Sequence, residues 1–207
     1  MLSILYALGA LVEALALPTG QIIAREVTPW CAGLGPGAFD IAHNFTLAAL
    51  NTTLPNANAT GAPLVLGQAG ATDGESFEVF STYASYPYND WPNLSLLQGG
   101  LVANSIYNFT SPAGNVTSGN ELSFVTTTYN APPPAQIYCA VADIDPTEGS
   151  PYPLLAVNGD TSGFALCVQC DCNYAQTNLV WQPSPENADG YLYDTCYNVT
   201  VQLLGLN

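Results

Sequence analysis

The chain has 207 residues, 48% of them hydrophobic and 8% charged, with Arg25 as its single Lys or Arg against sixteen acidic residues and a formal net charge of -15. Neutralising nucleic-acid phosphates requires Lys and Arg, as does clamping a transferred phosphoryl group, and an anionic membrane surface recruits basic patches. Those classes of function are excluded, whereas the aromatic and apolar content separates the chain from disordered acidic tails and predicts a folded domain with a substantial core.

In chain order, residues 1–16 read as a secretory signal peptide. An apolar stretch runs from Leu2 to Val12, and Ala14-Leu15-Ala16 supplies the small-x-small pattern of a cleavage site, with the cut after Ala16. The stretch falls short of the roughly 20 apolar residues that span a bilayer, and no lipid-anchor tail is predicted at the other end. Residues 17–30 read as an N-terminal arm or leader, since Pro18, Gly20 and Pro29 oppose regular structure; Arg25 lies in this segment.

Residues 31–207 are predicted to form a single all-β domain, a compact β-sandwich or β-trefoil-like domain stapled by disulfides. Short β-type runs alternate with turn clusters built from the sixteen prolines and eighteen glycines. The expected strands are Phe45 to Leu50, Pro63 to Gly67, Ser76 to Thr82, Leu94 to Leu97, Leu101 to Ile106, Glu121 to Tyr129, Gln136 to Ile144, Pro153 to Val157, Gly163 to Val168, Leu179 to Gln182, and Tyr191 to Leu204 with a break.

Seven Asn-x-Ser/Thr sequons, at Asn44, Asn51, Asn58, Asn93, Asn108, Asn115 and Asn198, agree with secretion and predict N-glycosylation. A glycan-bearing Asn faces solvent, so it also fixes strand phase. Asn198 outward sends Tyr197, Val199, Val201 and Leu203 inward and Thr200 and Gln202 outward. Asn44 outward turns Phe45 and Leu47 inward. The two segments are expected to be the first and last strands and neighbours in space.

The six cysteines, Cys31, Cys139, Cys167, Cys170, Cys172 and Cys196, read as three disulfides of an oxidising compartment rather than a metal site. The expected pattern sends each of the clustered Cys167, Cys170 and Cys172 to one of the distant cysteines. No metal and no cofactor is implied: around Asp143, Asp145 and Glu148 the helix-flanked calcium loop would need Gly and Glu where Glu148 and Leu154 stand, so a solvated acidic turn is expected. No catalytic residue set is predicted. His43 is the only near-neutral base, and no Gly-x-Ser-x-Gly motif occurs. Chemistry by carboxylates alone remains open, with Glu75, Glu78, Asp143 and Glu148 among many pairs. The strongest binding feature is the Pro-held loop carrying Tyr83, Tyr86, Tyr88, Asn89, Asp90 and Trp91, whose rings and acceptors suit sugar C–H faces and hydroxyls.

The runs Phe45 to Leu50, Pro63 to Gly67, Leu94 to Leu101, Phe164 to Cys167 and Cys196 to Leu204 together resemble small secreted fungal cell-wall glycoproteins of the phialide-associated and IgE-binding types. The chain departs from them in its Tyr/Pro loop and its cysteine cluster. The resemblance implies an extracellular, β-rich, wall-associated role and carries over no site residues. The expected function is a secreted extracellular or cell-wall protein with a structural or surface-interaction role, facing cell-wall polysaccharide or an extracellular protein. A lectin-like module using the Tyr83 to Trp91 loop is the alternative, and an acid hydrolase using paired carboxylates the third.

Overall fold

The computed structural model describes residues 28–145 and 150–206. The expected signal peptide, most of the arm with Arg25, and Glu148 lie outside the described residues.

Fourteen strands follow one another: β1 (Ala38–Phe39), β2 (Ile41–Asn51), β3 (Ala62–Thr72), β4 (Glu75–Thr82), β5 (Asn93–Leu97), β6 (Gly100–Asn104), β7 (Thr110–Pro112), β8 (Asn120–Glu121), β9 (Ser123–Thr127), β10 (Tyr138–Val141), β11 (Leu154–Val157), β12 (Phe164–Val168), β13 (Thr177–Trp181) and β14 (Leu192–Leu204). The expected all-β, disulfide-bonded domain is what forms, but it is a closed barrel rather than a two-sheet sandwich or a trefoil. Six antiparallel strands run β14-β12-β13-β4-β3-β2, and β2 pairs with β14 to close the ring.

The closing pair is the one whose phase the sequons set. Val199 lies opposite Asn51 and Leu203 opposite Leu47. Phe45, Leu47, Val199, Val201 and Leu203 are buried, and Asn44 and Asn198 are exposed. Gln202 corrects the expectation: it is only 2% exposed, and its amide reaches the carbonyls of Ala59 and Thr60, at 3.3 and 3.4 Å. A polar residue is tolerated on that face because the 52–61 loop supplies acceptors.

β2 serves two sheets. Its second half belongs to the barrel, and its first half pairs with β5, which continues through β6 to β7. The handover occurs at a bulge between Ala42 and Phe45, where Asn44 has φ +56°, a conformation Asn adopts more readily than bulkier residues. Two-residue hairpins set other registers. Gln98 and Gly99, at φ +49° and +82°, join β5 to β6, and Asn158-Gly159 turns the chain after β11 in the same left-handed way.

Phe80 and Phe124 meet edge to face at 4.9 Å in the main core, and Phe164 packs on Trp181 at 4.8 Å. A smaller cluster of Ala165, Cys167, Val180 and Tyr191 covers the opposite faces of β12 and β13. The expected Glu121 to Tyr129 strand is split at Leu122, which is fully buried. The very short β1 and β7 escaped the periodicity reading, and the break expected within Tyr191 to Leu204 is a bulge between Leu192 and Tyr197, where pairing with β12 shifts register.

The disulfides pair Cys31 with Cys139, Cys167 with Cys196 and Cys170 with Cys172. The expected pattern therefore holds only for Cys167. The turn at Pro29–Cys31 packs against β10 and so brings Cys31 to Cys139, while Cys170 and Cys172 close on each other in the loop after β12. Trp30 anchors the end of the arm. Its indole N–H donates to Asp40 at 3.2 Å, and its ring lies against Gly99 so closely that a Cβ there would clash.

Candidate functional site

Alternation along β4 turns Glu78 and Phe80 to one face and Val79 and Ser81 to the other, and each face bears a pocket.

The first pocket is an aromatic cleft of about 260 Å³. Beyond β4 the chain turns as the N–H groups of Ser85 and Tyr86 donate to the Thr82 carbonyl, each at 3.0 Å. Trp91 packs its inner side on the core. The 105–109 loop is tied to this segment by the Ile106 N–H, which donates to the Asp90 carbonyl at 3.0 Å. This brings the exposed rings of Tyr107 and Phe109 alongside Tyr86 and Trp91, with the carboxyls of Glu78 and Asp90 in the same lining.

Three hydroxyl groups, from Ser76, Ser111 and Thr126, donate to Glu78. Burial nonetheless outweighs them and raises its pKa above the usual carboxylate range. Burial, followed by the charge of Asp90, likewise raises the Tyr86 phenol.

Of the six loop residues singled out in the sequence, Tyr86, Asp90 and Trp91 line this cleft. Tyr83 and Tyr88 are exposed outside the lining. Tyr88 meets Tyr86 at 5.2 Å, and Asn89 borders a narrow gap beneath Trp91 instead. Glu78 is here without Glu75 or Asp143 in the lining, so these three carboxylates do not form a pair at this site; Glu148 lies outside the described residues. Tyr107 and Phe109, which sequence reasoning missed, left one signal: rings on both sides of the Asn108 sequon.

The second pocket, about 390 Å³, has no aromatic or cationic lining. Glu121 enters it from β8, which pairs with β13. The Asn178 side-chain amide on β13 donates to Glu121 Oε1 at 2.8 Å and to Gln169 Oε1 at 2.9 Å. The Ser81 hydroxyl lies 2.7 Å from both Asn178 Oδ1 and Gln176 Oε1, and its one hydrogen is shared between them. Asp189 closes the pocket by accepting the Glu121 backbone N–H at 2.7 Å. Its segment is anchored by buried Tyr191, whose hydroxyl donates to the Gly119 carbonyl at 3.0 Å. Burial, with a further contribution from Asp189, pushes Glu121 up to about 7 from the ordinary 4.5, against the opposing Asn178 hydrogen bond.

Among the described residues, no group of three or more His, Cys, Asp or Glu is arranged to hold a metal. Six sequon asparagines are exposed and Asn51 is half-buried.

Fold and pockets thus define a disulfide-bonded, all-β barrel protein with an aromatic cleft on one face of β4 and a carboxamide-lined pocket on the other. Compared with protein families, with curated proteins and with solved structures, the chain has no match.

Proposed function

We propose that the protein is a secreted, N-glycosylated extracellular or cell-wall component that binds neutral polysaccharide through the aromatic cleft. The observation that carries this reading is the meeting of Trp91, Tyr107 and Phe109 with the carboxyls of Glu78 and Asp90 in one opening. Aromatic faces accept the apolar C–H faces of pyranose rings, and a few fixed polar groups orient the hydroxyls. No cation lines the cleft, which disfavours acidic glycans. Three disulfides suit an oxidising compartment, and the sequons and the apolar leader sequence point the same way.

The protein acts by holding polysaccharide rather than cleaving it. The three hydroxyls that bond Glu78 position that carboxyl as an orienting group.

Isothermal titration with soluble β-glucan, mannan and chitin fragments tests the reading. At least one class is expected to bind, and Tyr107→Ala is expected to weaken it by about tenfold, as loss of a stacking platform of about 1–1.5 kcal/mol predicts. Tyr107 is 64% exposed, so its loss leaves the core intact. Absence of binding to all three classes, or release of reducing ends from them, would overturn the assignment.

A further inference from the structure

The carboxamide pocket on the other face of β4 has a polarity that the polysaccharide reading does not use. Four amide hydrogens of its lining are committed to the protein. Asn178 gives one each to Glu121 and Gln169, Gln169 gives one to the Asp189 carbonyl at 2.9 Å, and Gln176 gives one to the Gln68 carbonyl at 2.8 Å. One carboxylate oxygen is left without a hydrogen bond. Glu121 is 8% exposed, and only its Oε1 is hydrogen-bonded. No described buried side-chain oxygen lacks a partner, so the unbonded Oε2 is one that opens into the pocket.

Asp189 is the other titratable group in the lining, its Oδ2 taken by the Glu121 N–H. No Lys, Arg or His lies there to balance the two carboxyls. An anion is therefore repelled. A neutral sugar finds no ring to stack on. The complementary guest is a hydrogen-bond donor that carries positive charge.

We propose that this pocket is a second ligand site, taking the primary ammonium group of a small polar amine between Glu121 Oε2 and Asp189. The surrounding volume of about 390 Å³ accommodates the rest of such a molecule, and the carboxamide oxygens of Gln169 and Gln176 accept from its remaining donors. Glu121 must be ionised to hold the guest, so ammonium and proton compete for it. Asp189, hydrogen-bonded to the Glu121 backbone N–H, is the other titratable group of the site. With Glu121 titrating at about 7, affinity is set to fall as pH drops through that value.

The test is calorimetric titration of the deglycosylated protein with glucamine, which carries one primary ammonium on a polyhydroxyl chain, and with sorbitol, the same chain with a hydroxyl in its place. At pH 8, glucamine is expected to bind at least tenfold more tightly than sorbitol. Its affinity is expected to weaken by close to a hundredfold at pH 5. In two buffers of different ionisation heat at pH 6, binding to the wild-type protein should release close to one proton.

Glu121→Gln keeps an oxygen for Asn178 and is expected to lose at least tenfold in glucamine affinity together with the pH dependence. A cooperative thermal melt with an unchanged far-UV circular dichroism spectrum confirms that the variant is folded, and if it does not fold, proton release from the wild type decides the matter. Equal affinity for glucamine and sorbitol, pH-independent binding, or calcium binding with no glucamine binding overturns the proposal. Failure of either site leaves the other standing, because the ligands and variants differ.

Discussion

Glu121 couples the stability of the fold to pH. Its carboxyl titrates at about 7 in the folded protein against 4.5 ordinarily, so between those values the folded state keeps a proton that the unfolded chain gives up. Stability therefore falls as pH rises from about 4.5 to about 7, and the loss is complete above the folded value. The gap corresponds to about 3 kcal/mol. Glu78 is raised in the same direction. Urea unfolding at pH 5 and pH 8 should show wild type markedly weaker at pH 8, with Glu121→Gln flattening most of the difference; an unchanged difference in the variant contradicts this assignment. None of it is visible in sequence, where Glu121 stands at the start of an ordinary strand. Its environment comes from Asn178 and Asp189, 57 and 68 positions away. Tyr86, Asp90 and Trp91 were legible because they sit together in one Pro-held loop, whereas Tyr107 and Phe109 join them through the pairing of β6 with β5 and the hydrogen bond between Ile106 and Asp90.

At the scale of elements, the disulfides should differ in worth. Cys31–Cys139 spans 108 positions, Cys167–Cys196 spans 29 and Cys170–Cys172 only 2. Loop-closure entropy gives about 4.8, about 3.6 and about 1.2 kcal/mol respectively. Paired Cys→Ser variants are expected to lower the melting temperature in that order, and a larger drop for the Cys170–Cys172 pair than for Cys31–Cys139 would contradict it. Strand positions were largely readable, because glycosylation sequons and apolar alternation agree in β2 and β14. Connectivity was not. Which cysteines meet depends on the turn at Pro29–Cys31 lying on β10. The adjacency of β2 and β14 was expected from their matching phase, but that their pairing closes a barrel was not. Gln202 misled for a similar reason: its acceptors come from a loop about 140 positions earlier.

The molecule as a whole carries a formal charge of -15, and among the described residues His43 is the only side chain able to become cationic. Self-repulsion thus opposes the compact state. Raising salt from about 10 mM to about 150 mM shortens its reach from about 30 Å to about 8 Å, so the melting temperature at pH 7.5 is expected to rise with NaCl. A fall on adding NaCl would show that repulsion does not govern stability. The pairing of β14 with β2 also has a kinetic side. Strands whose centres lie about 150 positions apart must meet before the ring exists, so the barrel cannot close on a ribosome that has not yet released its fourteenth strand. Until then β2 offers an unpaired backbone edge to any neighbouring chain, and folding of such non-local β topologies is slow. Under the glycosylation proposed above, sugars added early at Asn44 and Asn51, at the bulge and the far end of that same strand, would shield the waiting edge from aggregation during the interval.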